Sequence, residues 1–129
     1  MAIVVAIAGK IGSGKTTITK SLAKLLQWPR AGFGDYVRAV ARKRGESQAR
    51  EHLQELGTQL LRNDPREFCK AVISSAEWRP GEGLIIDGLR HAETIGIIRE
   101  LVSPAVLKIV LISVPEETRF QRLKERGGR

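Results

Sequence analysis

Residues 3–16 read Ile-Val-Val-Ala-Ile-Ala-Gly-Lys-Ile-Gly-Ser-Gly-Lys-Thr, an apolar run that leads directly into glycines. An unbroken apolar run rich in β-branched residues is typical of a strand buried on both faces of a parallel sheet. After the glycines, apolar residues recur at helical spacing up to Trp28-Pro29, at Ile18, Leu22, Leu25 and Leu26. The segment therefore predicts a strand, a glycine loop and an amphipathic helix, which together begin a βαβ unit.

The glycine loop matches the phosphate-binding pattern G-x-x-x-x-G-K-[ST] over Gly9–Thr16. Such a loop curls so that its backbone N–H groups point at one anion, and the helix that follows adds the positive end of its dipole. Lys15 would reach the β- and γ-phosphates, Thr16 would bind Mg²⁺, and Thr17 could donate to the α-phosphate. The residues expected around the nucleotide are Gly9, Gly12, Ser13, Gly14, Lys15, Thr16 and Thr17. The alternative is a chance glycine turn, which the flanking strand and helix argue against.

A second buried strand is predicted at 84–87, where Leu-Ile-Ile is followed by Asp87. Ligands of parallel α/β sheets bind beyond the carboxyl ends of the strands, where the glycine loop also lies. Asp87 is therefore a candidate ligand for Mg²⁺, either directly or through water. The alternative is a turn residue, because Asp-Gly is a common turn sequence.

The rest of the chain alternates between strand and helix patterns. Strands are predicted at 31–33 and 106–113, and helices at about 35–44, 48–62 and 92–101, with a last helix that Pro115 opens. Asp64, followed by Pro65 and then Glu67, predicts the start of a further helix. We therefore expect one domain over residues 1–129 with an α/β, three-layer P-loop NTPase fold, whose mainly parallel sheet is flanked by helices.

Composition narrows the possible partners. The net charge of +8 favours phosphate-bearing ligands, whereas 5% aromatic residues are few for stacking on nucleic acid, so we expect no nucleic-acid partner. The chain has one cysteine and two distant histidines, which predicts no disulfide and no structural metal. No apolar run is long enough to span a membrane, and a cytoplasmic location is expected.

Four segments, taken in order, resemble the nucleoside monophosphate kinases, and adenylate kinase in particular. They are the loop 9–16, Gly34-Asp35-Tyr36-Val37-Arg38-Ala39, the strand 84–87 followed by Gly88-Leu89-Arg90, and Val114-Pro115 followed by Arg122 and Arg126. The resemblance covers nearly the whole chain. The first motif is common to many families, but the order and spacing of all four are much more specific. The Asn-Lys-x-Asp motif that a GTPase uses to bind guanine is absent from the sequence, as is the Leu-Ser-Gly-Gly signature of ABC-type ATPases. The sequence therefore gives no support to either of these two classes.

The resemblance implies ATP and Mg²⁺ as cofactors and a small phosphate-bearing acceptor. Arg38 and Arg90 would bind the phosphate of the acceptor, and Asp35 would shape the acceptor site. Arg122 and Arg126 would neutralise the phosphoryl group in transfer. Residues 31–80 would form a helical acceptor-binding region, and 122–129 the start of a lid. The family continues through that lid, so the chain looks truncated, and an exposed sheet edge could favour self-association.

Three departures from the family pattern leave the acceptor open. Phe33 stands where a small hydroxyl residue is usual, Asp-Gly-Leu-Arg is one residue shorter than the family motif, and the glutamine that reads adenine is missing near His91. The shorter motif also resembles dephospho-CoA kinase-like enzymes, in which the acceptor is a hydroxyl and Asp35 would serve as its general base. The expected function is ATP-dependent phosphoryl transfer to a small phosphate-bearing acceptor, with a nucleoside monophosphate as the first candidate. The alternatives are a hydroxyl-directed kinase and a non-catalytic nucleotide-binding module.

Overall fold

The computed structural model describes residues 2–9, 15–88 and 92–112, with the side chains of residues 15, 16 and 112 left aside. In chain order, the elements are β1 Ile3–Gly9, α1 Lys15–Leu26, β2 Arg30–Gly32, α2 Phe33–Arg44, α3 Arg50–Asn63, α4 Pro65–Ser75, β3 Leu84–Asp87, α5 Ala92–Val102 and β4 Val106–Ile112. Along the chain, strands alternate with single helices, except that three consecutive helices connect β2 to β3.

The four strands form one parallel sheet in the order β2-β3-β1-β4. All of β3 is buried, as are Val4, Ala6 and Ile7 of β1, which explains why both central strands are continuous apolar runs in the sequence. Because the strands are parallel, their carboxyl ends meet at one edge. At this edge Gly32 and Ile7 lie opposite Asp87 on either side. The α/β fold with a parallel sheet flanked by helices is confirmed.

Three helices fill the connection between β2 and β3. Each of these helices buries apolar residues at helical spacing: Val37, Ala41, Leu56, Leu61, Phe68, Cys69, Val72 and Ile73. Asp64 caps α4 as predicted, because its Oδ1 accepts a hydrogen bond from the Glu67 amide at 3.0 Å and Pro65 occupies the first turn. These helices bring Asp35 and Arg38 of α2 close to the ends of β2 and β3.

The predicted inner face of α1 is wrong. Ile18, Leu25 and Leu26 are exposed by 40%, 78% and 43%, whereas Thr19 is fully buried and Leu22 is partly buried. The helix is turned so that a polar side chain, Thr19, enters the interior beside Asp87. Apolar periodicity predicted the helix correctly but could not anticipate a buried hydroxyl.

Smaller differences concern where elements begin and end. The strand predicted at 31–33 is Arg30–Gly32, and the helix predicted from about 35 begins at Phe33. The strand predicted at 106–113 is described to Ile112. The helix expected after Pro115 lies outside the described residues. Within the part of the chain that the structure describes, no helix is long and apolar enough to cross a membrane.

Candidate functional site

The carboxyl edge of the sheet gathers the polar residues that the sequence singled out. β1 ends at Gly9, the first residue of the phosphate-binding pattern, and α1 begins at Lys15, near the other end of that pattern. The strand-to-helix setting that such a loop requires is therefore present. Gly12, Ser13 and Gly14 lie outside the described residues, as do the side chains of Lys15 and Thr16. Thr17 is exposed on the first turn of α1.

Asp87 is held from two sides at the end of β3. Its side chain is 5% exposed. Thr19 of α1 donates a hydrogen bond from its hydroxyl to Asp87 Oδ2 at 3.0 Å. Arg30 of β2 contacts the same oxygen through Nη2 at 2.5 Å. A buried carboxylate is costly unless it is paired and hydrogen-bonded, and Thr19 and Arg30 supply such contacts and orient the Asp87 side chain.

Arg30 joins three elements through one guanidinium group. Besides Asp87 it contacts Asp35 of α2 through Nη1, and its Nε donates to the Thr19 hydroxyl at 3.0 Å. Burial alone would lower the pKa of Arg30, but the hydrogen bonds and charges of Asp35 and Asp87 outweigh burial, so its pKa is raised. Arg30 therefore stays charged and connects α1, α2 and β3.

Asp35 lies between two guanidinium groups. Arg30 binds its Oδ2, and Arg38, one turn further along α2, binds its Oδ1. Burial by itself would raise the pKa of Asp35, but the hydrogen bond from Arg30 and the charges of Arg30 and Arg38 outweigh burial, so the pKa is lowered. Asp35 and Arg38 are about half exposed, at 42% and 47%, so this part of the network faces solvent.

Gly32 leaves the space in which these groups meet. A Cβ atom placed on Gly32 would lie 2.6 Å from Asp35 Oδ2 and 3.1 Å from Arg30 Nη1. Any side chain at this position would push the Asp35 carboxylate away. The turn after Asp87 also needs a glycine, because Gly88 has φ of 102° and a Cβ there would lie 3.2 Å from Phe33.

The donors at this edge suit Mg²⁺. Asp87 offers a carboxylate, and Thr16 lies in the first turn of α1 at the end of the phosphate loop, so both are oxygen donors of the kind Mg²⁺ prefers. Within the described ranges, no three His, Cys, Asp or Glu side chains are grouped to hold a metal by themselves.

The structure thus brings three of the predicted site residues, Asp35, Arg38 and Asp87, into one hydrogen-bonded network. Arg90, Arg122 and Arg126 lie outside the described residues, and their roles stay predictions. Sequence reasoning missed Arg30 and Thr19. The available signal was weak: Arg30 is a charged residue that begins a short strand two positions before a glycine, so both share one face of the sheet.

Comparison with known proteins points to one group of relatives. The chain is 30% identical over 132 residues to a UPF0200 protein of Thermococcus kodakarensis, covering 96% of this chain and 68% of the relative. It is 32% identical over 124 residues to a UPF0200 protein of Pyrobaculum aerophilum, covering 96% of this chain and 66% of the relative. The chain therefore spans about two thirds of the length of these relatives.

Solved structures with a similar fold include small-molecule kinases. A gluconokinase from Sinorhizobium meliloti superposes with a TM-score of 0.60 at 18% identity, covering 97% of this chain and 65% of that one. A shikimate kinase from Acinetobacter baumannii, in complex with shikimate, superposes with a TM-score of 0.52 at 25% identity, covering 99% and 64%.

A family model described as an AAA domain matches residues 5–129. The match includes most of β1, the loop after it and every later strand of the sheet. The chain belongs to this AAA domain family, is related to the UPF0200 proteins, and has the fold of a small P-loop kinase.

Proposed function

We propose that this chain forms the core of an ATP- and Mg²⁺-dependent kinase that transfers a phosphoryl group to a small phosphate-bearing acceptor, with nucleoside monophosphates as the first candidates. The observation that carries the proposal is the position of Asp35 and Arg38. They lie at the carboxyl edge of a P-loop sheet, joined through Arg30 to the buried Asp87.

The nucleotide side follows from the family and from the start of the fold. The backbone amides between Gly9 and Lys15 would hold the phosphates, and Lys15 would neutralise their charge. Asp87 and Thr16 would hold Mg²⁺, which supplies positive charge to the phosphates when bound. Phosphoryl transfer demands positioning and charge neutralisation more than covalent chemistry, and these groups are of the types that supply both.

The acceptor side favours a phosphate over a hydroxyl. A general base works best when its pKa lies near the working pH, but the pKa of Asp35 is lowered by its two arginine partners. Asp35 is therefore better suited to orienting Arg38 than to removing a proton. The half-exposed Arg38 guanidinium is the group that would bind an acceptor phosphate, because its planar fork matches phosphate oxygens. Arg90 would be a second such group.

A hydroxyl-directed kinase is the second candidate. Its support is the structural likeness to a gluconokinase and a shikimate kinase, whose names are those of kinases for gluconate and shikimate. In such an enzyme Asp35 would take the proton from the acceptor hydroxyl. The two candidates differ in the acceptor that stimulates the reaction, so a panel that contains both kinds of acceptor separates them.

The experiment is ADP release from Mg·ATP in the presence of AMP, CMP, UMP, GMP, dTMP, dCMP, dephospho-CoA, gluconate and shikimate. We expect one nucleoside monophosphate to stimulate release. Arg38→Ala should raise the acceptor KM by about tenfold or more, since a charge-assisted contact is lost. Arg42→Ala is the matched control, because Arg42 is an exposed arginine one turn further along α2.

Three outcomes contradict the proposal. Stimulation by dephospho-CoA, gluconate or shikimate alone would establish a hydroxyl-directed kinase. Equal effects of Arg38→Ala and Arg42→Ala would remove Arg38 from the acceptor site. Binding of Mg·ATP without stimulation by any acceptor would indicate a nucleotide-binding module.

A further inference from the structure

Four side chains of alternating charge form a continuous chain across the carboxyl edge of the sheet. In order they are Asp87, Arg30, Asp35 and Arg38. The first lies at the proposed metal and nucleotide side, and the last at the proposed acceptor side. Each of the two inner groups is shared, since Arg30 divides its guanidinium between two carboxylates and Asp35 divides its two oxygens between two guanidiniums.

We propose that Arg30 is a positioning residue that couples metal and nucleotide binding at Asp87 to acceptor binding at Arg38, through the shared carboxylate of Asp35. The proposal rests on the function proposed above, because that function places the metal at Asp87 and the acceptor phosphate at Arg38. Arg30 itself need not touch either ligand. Its side chain is 14% exposed and is held by Thr19, Asp35 and Asp87.

The sign of the coupling follows from the charges. When Asp87 shares its negative charge with a cation, its attraction for Arg30 weakens, and Arg30 pairs more fully with Asp35. Asp35 then attracts Arg38 less, and Arg38 is released toward an acceptor phosphate. In the opposite direction, a phosphate on Arg38 draws Arg38 from Asp35, which strengthens the pair of Asp35 with Arg30 and frees Asp87. Binding at each end therefore favours binding at the other, as thermodynamic reciprocity requires.

The spacing of the fold supports this role for Arg30. In the pairing of β2 with β3, Arg30 lies opposite Ile85, and Gly32 lies opposite Asp87. Arg30 reaches two residues along the sheet to Asp87, over the position where Gly32 has no side chain. The same absence gives Asp35 its place beside Arg30, because a Cβ on Gly32 would lie 2.6 Å from Asp35 Oδ2. One glycine thus permits both contacts of the shared guanidinium.

The test needs no acceptor and measures binding rather than turnover. Calorimetry gives the dissociation constant of ADP with excess Mg²⁺ and with EDTA. The EDTA value divided by the Mg²⁺ value is the factor by which the metal strengthens ADP binding, and we call this factor the gain. This gain is compared in the wild type, Arg38→Gln, Arg30→Gln and the double variant. Arg38→Gln leaves Asp35 to Arg30, so we expect the gain to rise by about fivefold or more, within the usual range of coupling between sites. In the Arg30→Gln background, Arg38→Gln should leave the gain unchanged within about twofold, the scatter expected of independent sites.

Two further variants make the result specific. Arg42→Gln removes the same charge from the same helix outside the chain of contacts and should leave the gain unchanged. Gly32→Ala keeps all four charges but displaces Asp35, so in this background too Arg38→Gln should have no effect. This variant also covers the case in which Arg30→Gln, which leaves a buried carboxylate without its guanidinium, fails to fold.

The outcomes are distinguishable. The same rise with Arg38→Gln in every background, or no rise in any, would overturn the coupling through Arg30 and leave the proposed function intact. An equal rise with Arg42→Gln would reduce the effect to general electrostatics and overturn it as well. If Mg²⁺ does not strengthen ADP binding in the wild type, the metal role of Asp87 fails, and the coupling fails with it.

Discussion

Asp35 is the residue whose surroundings bear most directly on the chemistry. Its two oxygens contact Arg30 and Arg38, and its pKa is held below the ordinary range of an aspartate. For a phosphate acceptor we expect Asp35→Asn to raise the acceptor KM while kcat falls by less than about tenfold, because no proton must be removed. A general base typically contributes 10²- to 10⁴-fold, so a loss of kcat in that range would identify Asp35 as the base of a hydroxyl-directed kinase. Steady-state measurement of kcat and KM with the stimulating acceptor distinguishes a phosphate-directed kinase from a hydroxyl-directed one.

Cys69 gives a prediction about pH. It is fully buried on α4, and burial raises the pKa of its thiol to about 11. In the unfolded chain the pKa of the thiol is about 9, so its contribution to stability is fully present below about pH 9 and is lost as pH rises toward 11. Between pH 7 and 10 we expect the wild type to lose about 1 kcal/mol more free energy of unfolding than Cys69→Ala.

Urea denaturation at the two pH values measures this difference, and the Cys69→Ala chain corrects for every pH effect that does not come from Cys69. Parallel losses in both chains would show that Cys69 ionises as easily in the folded state as in the unfolded one.

Single residues were predictable where a motif fixes their spacing. Asp35, Arg38 and Asp87 were found because each stands in a short pattern that can be recognised locally. Arg30 and Thr19 stand in no such pattern, and their contacts with Asp87 join residues 57 and 68 positions apart. Only the folded sheet brings them together, so no local reading could assign them.

Among the helices, α4 offers the clearest prediction from a single contact. Asp64 accepts a hydrogen bond from the Glu67 amide, which would otherwise lack an intrahelical partner. Asp64→Ala should cost about 1 kcal/mol of stability, whereas Asp64→Asn should cost much less, because asparagine caps helices about as well. Chemical denaturation of the wild type and the two variants measures their free energies of unfolding. An equal loss of stability in both variants would show that the negative charge of Asp64 matters more than its capping hydrogen bond.

Helices and strands were predictable because their signals are local. Where apolar spacing and caps predicted the start or end of a described helix, the structure places it within about two residues, as is usual for element boundaries. The inner face of α1 was wrong because a hydrophobic pattern assumes that apolar residues face the core. In α1 the buried residue is Thr19, whose hydroxyl donates a hydrogen bond to Asp87, whereas Leu25 is exposed.

For the whole molecule, the parallel α/β arrangement followed from the alternation of strands and helices, and the same pattern placed the candidate site at the carboxyl edge of the sheet. The strand order β2-β3-β1-β4 did not follow, because each strand pattern is compatible with several neighbours. The order matters for the candidate site, since it places Arg30 on the strand beside Asp87 and so allows the contact between them.

The same architecture predicts that nucleotide stabilises the whole fold. A phosphate loop exists only when β1 and α1 are in place, so Mg·ADP should bind the folded state and not the unfolded chain. At a concentration 100 times the dissociation constant, such a ligand adds about 2.7 kcal/mol. For a domain of this size that free energy corresponds to a rise in Tm of about 10 °C.

Two lysines on α1 separate specific binding from attraction by the net charge of +8. Lys15→Ala removes the lysine of the phosphate pattern, and Lys20→Ala removes an exposed lysine of the same helix. Both changes lower the net charge equally. Differential scanning fluorimetry should therefore show the rise in Tm with Mg·ADP in Lys20→Ala and little of it in Lys15→Ala. Equal rises in both would mean that Mg·ADP is held by the general positive field, which added salt would screen, and that the loop has no specific part in binding.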